Sequence, residues 1–332
     1  MQKRTWEFDN VGIISRAAVA GPFEGQGKLG AEFDRIYKDL YMGQATWEKA
    51  ERYMMEDAIS ITLAKAGVTA DKIDVLLAGD LLNQNITSSF SALKLGIPFI
   101  GLYGACSTAV LTMIMASALV SSKMASLAVA GASSHNCATE KQFRYPTEYG
   151  GQKPDIAQWT VTGAGACLIG REVAGPQLTM ATIGKVVDLG ISDPLDMGSA
   201  MAPAAVDVIS NHFLESGRTP DYYDLIITGD LGKIGHKIAG DMLKDNGYKL
   251  KDKFADCGMM IYKPEQETFA GGSGCASSAV VAYSYLLNQL EQGALNKILL
   301  VGTGALLSPI SYQQGESIPV IAHAIAIESG RV

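Results

Sequence analysis

The chain of 332 residues is 48% apolar and carries 27 Lys and Arg against 34 Asp and Glu, a net charge of −7. That is ample apolar side chain for a large core. With no basic run or stripe, it gives no electrostatic footing for nucleic acid or for simple adhesion to an anionic bilayer. Five cysteines without a C-x-x-C pair argue against a disulfide framework or a zinc site and suit a reducing interior.

In chain order, the opening MQKRTWEFDN has no apolar stretch after its basic residues and does not read as a signal peptide. Trp47–Ala66 has helical periodicity and stops at Gly67, and 74–78 is a short run of branched residues expected as a buried parallel strand. Residues 98–101 are expected as a second strand, 107–121 as a helix, 125–130 as a third strand and 160–170 as a small-residue strand. The apolar run 109–120 is too short to span a bilayer and, broken by Thr112 and Ser117, suits a helix buried between layers. The second half follows the same plan: a helix at 206–216, strands at 224–228 and 259–262, a helix at 276–291 and a strand at 297–301. Two stretches fall outside this plan and are expected over a pocket: the polar segment 138–158, and the tail 308–332, a Gly/Ser loop followed by an apolar strand.

The plan repeats because the chain does. Residues 66–81 (AGVTADKIDVLLAGDL) align without a gap with 216–231 (SGRTPDYYDLIITGDL) at an offset of 150. GLYGACSTAV at 101–110 matches GGSGCASSAV at 271–280 at an offset of 170, and LAVAG at 127–131 answers ILLVG at 298–302 at an offset of 171. Two copies of one supersecondary unit, 1–170 and 171–332, are expected about an approximate twofold axis. Alternating strands and helices predict an α/β fold of parallel sheets covered by helices, a layered α-β-α-β-α sandwich.

Function is expected where the copies differ. Cys106 follows a strand and immediately precedes Ser107, a good helix N-cap, whereas the matched position in the second copy is Ala276. A thiol there would meet unpaired N–H groups and the positive helix end, which lower its pKa and attract anions. It reads as an elbow nucleophile or the floor of an anion pocket, against the plainer reading of a small core residue. The strand-end aspartates Asp80 and Asp230 could bind a cation but, being preserved in both copies, are expected rather to cap turns or helices. His135 and His212 read as ordinary polar residues, and His236 lies too far along from Gly229 to serve Cys106. The pairs Gly163-x-Gly165 and Gly302-x-Gly304 lack the rest of a dinucleotide fingerprint, so no nucleotide cofactor is expected.

The duplicated half, the G-A-C-S elbow, the G-A-G-A strand at 163–166 and the G-T-G-A-L-L-S run at 302–308 resemble the thiolase superfamily along nearly the whole chain. The resemblance implies a five-layered thiolase-like fold, dimerisation by strand addition near the elbow, and Cys106 as the position of an acyl-accepting nucleophile. It also implies what is missing: the histidine of the Cys-His-Asn synthases falls on Gly229, and the asparagine, or the histidine of the G-H-P thiolase motif, falls on Gly272. No cysteine follows Cys275 to act as a second one. Glycine supplies neither a base nor an oxyanion donor, so the gap is expected to enlarge the space above Cys106 and favour holding a ligand over transforming one.

A narrower resemblance rests on AGDLLNQ at 78–84, GIPFIGLYGACST at 96–108 and SPISYQQGESIP at 308–319, which resemble the stage V sporulation protein AD family of endospore-forming bacteria. It implies a non-catalytic protein that binds dipicolinic acid (pyridine-2,6-dicarboxylate), as free acid or calcium chelate, for uptake into the developing spore. It further implies partnership with other stage V A proteins at the spore inner membrane and an intracellular, peripherally membrane-associated location. A flat dianion wants an apolar slot and donors for two carboxylates. Placement offers Cys106 and Ser107 for one carboxylate, Asn83 and Gln84 at the pocket mouth, and Ser273 in the emptied loop beside Gly229 and Gly272. Arg144 in the polar segment could cap an anion or simply lie at the surface. His323, sharing strand parity with Ile321, Ile325 and Ile327, faces either a packed layer or the pocket. Glu316, a lone carboxylate, is weak evidence for a calcium site, and no metal set is expected. The competing reading is a thioester-dependent acyltransferase or condensing enzyme using Cys106; a third is a purely structural scaffold.

Overall fold

The computed structural model describes residues 3–143 and 153–330. In the first half, β1 (Val11–Ala20), α1 (Trp47–Ala66), β2 (Val75–Gly79), α2 (Ile86–Leu95), β3 (Phe99–Gly101), α3 (Thr108–Ser121), β4 (Ala128–Ser134) and β5 (Gly163–Arg171) follow one another. The second half repeats them as β6 (Gln177–Thr182), α4 (Met197–Ser216), β7 (Leu225–Thr228), α5 (Gly232–Asp245), β8 (Phe254–Asp256), α6 (Cys275–Val281), β9 (Lys297–Ala305) and β10 (Val320–Glu328). A π turn at Ala282–Leu286 carries α6 on into Leu287–Gln292.

Local chemistry sets the matched ends. Thr46 caps α1 by accepting from Lys49 N, and Asp196 caps α4 by accepting from Ser199 N; the two helices stop at Gly67 and Gly217, both left-handed (φ 65° and 69°). The strands run β8-β7-β9-β10-β6-β1-β5-β4-β2-β3. Within each half three outer strands are parallel and the inner two antiparallel, and the halves meet at the bridge Gly12–Gln177, where Thr5–Glu7 of the first half also pairs with β6, and in a small second sheet of Trp159–Thr160 with Gly272–Ser273. The sheets are therefore mixed rather than purely parallel. Helix α3 is apolar all round, with Val110, Met113, Ile114 and Val120 fully buried, because it lies between the two half-sheets beside α6. Each such side chain contributes about 1.5–3 kcal/mol of burial. The pairs α1 and α2, and α4 and α5, cover the outer faces, completing five layers.

The small-residue strands have a steric cause. A Cβ on Gly165 would stand 2.6 Å from the Tyr283 ring and 3.0 Å from Ala279 O of the opposite central helix. One on Gly304 would meet Gly104 O at 2.3 Å, so the G-T-G-A run lets β9 cross the elbow of the first half.

Several elements differ from expectation. Residues 259–262 are not a strand: Cys257–Ile261 is a short helix capped by Asp256, which accepts from Met259 N at 3.3 Å, and the strand ends just before it. Helix α4 begins nine residues before 206 and runs through Pro203. Strands β1 and β6 and helices α2 and α5 complete the repeat.

Candidate functional site

The elbow between β3 and α3 turns sharply at Ala105, a non-glycine residue at φ 48°. Holding alanine in the left-handed region costs about 1 kcal/mol or more. In the second copy the positive φ falls on Gly274 instead, at 97°. The turn sets Cys106 at the floor of a cavity of about 380 Å³. Leu81 and Tyr103 form one wall; Thr139, Glu140 and Phe143 of the helix Asn136–Phe143 form another. Ser273, Gly274 and Ala305 come from the second half, and Leu307, Ser308, Pro309 and Tyr312 with Pro194, Leu195 and Met197 surround the mouth. The lining is mostly apolar, with three aromatic rings. Among the described residues no Lys, Arg or His lines it, and Glu140 pairs with Lys153 at 2.8 Å.

The thiol is not activated as expected. Cys106 is only 7% exposed and lies beside the Asp230 carboxylate. Burial first, then the charges of Asp230 and Cys275, hold its pKa well above the usual thiol range. A helix terminus offers about 0.3–1 kcal/mol in the opposite direction, whereas burial shifts titrations by up to about 3–5 units. The N–H groups nearest the thiol are also already engaged: Ser107 N donates to Gly104 O (3.0 Å) and Thr108 N to Ala105 O (3.2 Å). Ser107 occupies the cap position without capping; its hydroxyl donates to Gly104 O at 2.6 Å, and it does not line the cavity.

Asp230 is the residue whose position in the sequence understated its surroundings. Asp80 caps as expected, accepting from Leu82 N, Ser88 N and Ser88 Oγ at 2.6–3.1 Å. Asp230 does not. The start of α5 is served by Asp256, which accepts from Leu231 N (2.7 Å) and Gly232 N (3.2 Å). Asp230 instead accepts from Thr303 Oγ1 (2.6 Å) and Gly274 N (3.2 Å) and faces the Cys106 thiol, and burial pushes its pKa up to about 7.

Of the remaining candidates, Ser273 lines the cavity. Asn83 and Gln84 line a neighbouring groove that shares Leu81, Tyr103, Phe143 and Ser308 with it. Gly229 and Gly272 do not open the space above Cys106. A Cβ on Gly272 would stand 3.0 Å from Val161 Cγ2 and 3.1 Å from the Tyr262 ring, and one on Gly229 would be 3.4 Å from Ser278 Cβ, so both abut packed interior. His323 is buried away from the cavity, accepts from Gly184 N at 3.3 Å, and is lowered by burial to about 4. Arg144 lies outside the described residues. Glu316 is exposed beside Asp193, next to the mouth.

No imidazole attends the thiol. His135 bonds Leu40 O (2.8 Å), His212 sits between Thr182 Oγ1 and Tyr223 OH, and His236 stacks on Phe254 at 4.3 Å. Sequence reasoning missed Thr139: the residue lines the cavity, and its buried hydroxyl has no hydrogen-bond partner. The available signal was its place in a segment that interrupts the repeat.

The family model for stage V sporulation protein AD matches residues 2–328. The stage V sporulation protein AD of Bacillus subtilis (strain 168) is 54% identical over 327 residues, covering 98% of this chain and 97% of that protein. Among solved structures, cerulenin-bound OleA of Xanthomonas campestris superposes with a TM-score of 0.63 at 16% identity, over 97% of this chain and 98% of its own. The 3-oxoacyl-[acyl-carrier-protein] synthase III of Aquifex aeolicus VF5 gives 0.58 at 13% identity, over 96% and 99%. These neighbours establish a thiolase-like fold.

Proposed function

Because the chain belongs to the stage V sporulation protein AD family, we propose that this sporulation protein holds dipicolinic acid, free or as its calcium chelate, in the cavity over Cys106. In this reading it serves uptake into the developing spore without catalysing a reaction. One observation carries the non-catalytic part: the buried thiol stands next to a carboxylate and has no histidine beside it. A nucleophilic cysteine needs an adjacent base or cation to become thiolate; a neighbouring acid opposes it. The binding part is supported by the slot itself, whose Tyr103, Phe143 and Tyr312 rings suit a flat aromatic ring, while Thr139 and Ser273 are polar residues in its lining.

The competing reading, acyl transfer through Cys106, draws on the likeness to a 3-oxoacyl synthase. Incubation with acyl-CoA followed by intact-mass measurement separates the two: the chain is expected to stay unmodified, and a stoichiometric adduct on Cys106 would sink the proposal. Among the described residues no helix is long and apolar enough to cross a membrane. Peripheral attachment at the spore inner membrane, through other stage V A proteins, fits that. A homodimer is also part of the proposal: the edge strand β3 exposes Ile100, and α2 turns Ile86, Phe90 and Leu93 outward at helical spacing. Equilibrium sedimentation of wild type and Leu93→Asp tests it, the variant being expected as monomer.

A further inference from the structure

We infer that the rim of the cavity mouth is a docking surface for a basic, apolar-tipped segment of a protein partner. Two pieces of chain build the rim. The short helix Pro309–Gln313 turns Pro309 and Tyr312 toward the cavity, while Ile310 is 69% exposed. Across from it, residues 184–196 bring Pro194 and Leu195 to the cavity and leave Leu189 66% exposed. These tips are held out rather than left loose. Ser308 and Ser311 form a reciprocal capping box, Ser317 Oγ donates to Asp188 Oδ2 at 2.5 Å, and Ile318 N donates to Ile191 O at 2.8 Å. Exposing large apolar side chains on a braced scaffold at the entrance of a cavity is unfavourable unless something covers them.

The charge around the tips decides what covers them. Between the two segments lies a shallow depression lined by Ser192, Asp193, Pro194, Tyr312, Gly315 and Glu316. The segments also carry Asp188 and Asp196, against a single basic residue, Lys185, whose ammonium is 3.4 Å from Asp207 on α4. An anionic bilayer would be repelled by this rim, whereas a Lys- or Arg-bearing segment with apolar neighbours matches both features. A partner seated here would face the opening through which ligand enters and leaves. The inference rests on the reading that the chain works beside a membrane-borne partner, and not on the ligand's identity.

The test uses the full chain and inner-membrane vesicles from sporulating cells, untreated or shaved with trypsin, beside protein-free vesicles of phosphatidylglycerol and cardiolipin. Wild type is expected to sediment with untreated vesicles only. Both the double variant Leu189→Asp/Ile310→Asp and the double variant Asp193→Lys/Glu316→Lys should lose at least about tenfold in binding. Circular dichroism and dipicolinate calorimetry on the same variants, expected unchanged, separate a lost docking surface from a lost fold and from a failed ligand assignment. Folded variants that sediment like wild type would overturn the inference. So would equal binding to trypsin-shaved or protein-free vesicles, or a change in the oligomeric state of the variants in sedimentation equilibrium.

Discussion

Asp80 and Asp230 occupy the same place in the two halves and do different work. Asp80 is filled by Leu82 and Ser88 and closes the turn into α2. In the second half Asp256 supplies the turn into α5, which leaves Asp230 to accept from Gly274 and Thr303 of its own half and to face Cys106 of the other. A duplicated fold can thus acquire a site without inserting anything: one copy moves a structural duty to a neighbouring residue, and the freed group turns inward. The elbows show the same divergence, with a strained Ala105 before Cys106 in one and Gly274 ahead of Cys275 and Ala276 in the other.

The comparison breaks first at stability. Asp80→Ala removes three hydrogen bonds to a buried turn and is expected to destabilise the chain by about 3 kcal/mol in denaturant titration, whereas Asp230→Asn should stay within about 1 kcal/mol near neutral pH. Equal losses would mean that both aspartates are structural. Next comes pH. With its folded pKa raised to about 7 from 3.8, Asp230 retains a proton that the unfolded chain releases. Its contribution is therefore fully present below about pH 4 and is lost as pH rises through about 7. His212 and His323, lowered to about 3 and about 4, act in the opposite sense, their neutral forms being favoured as pH rises. The difference in melting temperature between Asp230→Asn and wild type isolates the aspartate. It should move in favour of the variant between pH 5 and pH 8 by the equivalent of about 3 kcal/mol; a flat difference would contradict the shift.

A smaller effect concerns the thiol. Removing the neighbouring acid should speed alkylation of Cys106 by iodoacetamide severalfold in Asp230→Asn, because one charge that holds the thiol protonated is gone; Asp80→Asn should leave the rate unchanged. Smallest is Thr139→Val, which deletes the unpartnered hydroxyl at constant shape. Dipicolinate affinity should fall about fivefold while stability holds or rises slightly, since a buried hydroxyl without a partner is unfavourable in the empty cavity. Unchanged affinity would remove Thr139 from the binding site.

What the sequence disclosed follows the same division. The repeat offsets, the limits of α1 with its terminal glycine, and the central position of α3 depend on local periodicity and on composition, and each was legible. The inner strands β1 and β6 were not, because their partners lie in other parts of the chain. The helix at Cys257–Ile261 was not, because a four-residue apolar run has no period and its cap, Asp256, also belongs to the preceding strand. Of the residues expected at the pocket, Cys106 and Ser273 line the cavity. Gly229 and Gly272 were assigned to the cavity by correspondence with catalytic positions, yet the backbone directs both into packing. Asp230 read as a cap because sequence symmetry cannot reveal that Asp256 has taken over that bond.

Calorimetric titration of the purified wild-type chain with dipicolinate, with and without calcium, bears most directly on the proposal that this cavity grips a ligand. One site per chain is expected, abolished when Ala305→Phe fills the cavity while the circular dichroism spectrum is unchanged. No heat with either form of the ligand, or equal binding by the filled variant, would contradict it.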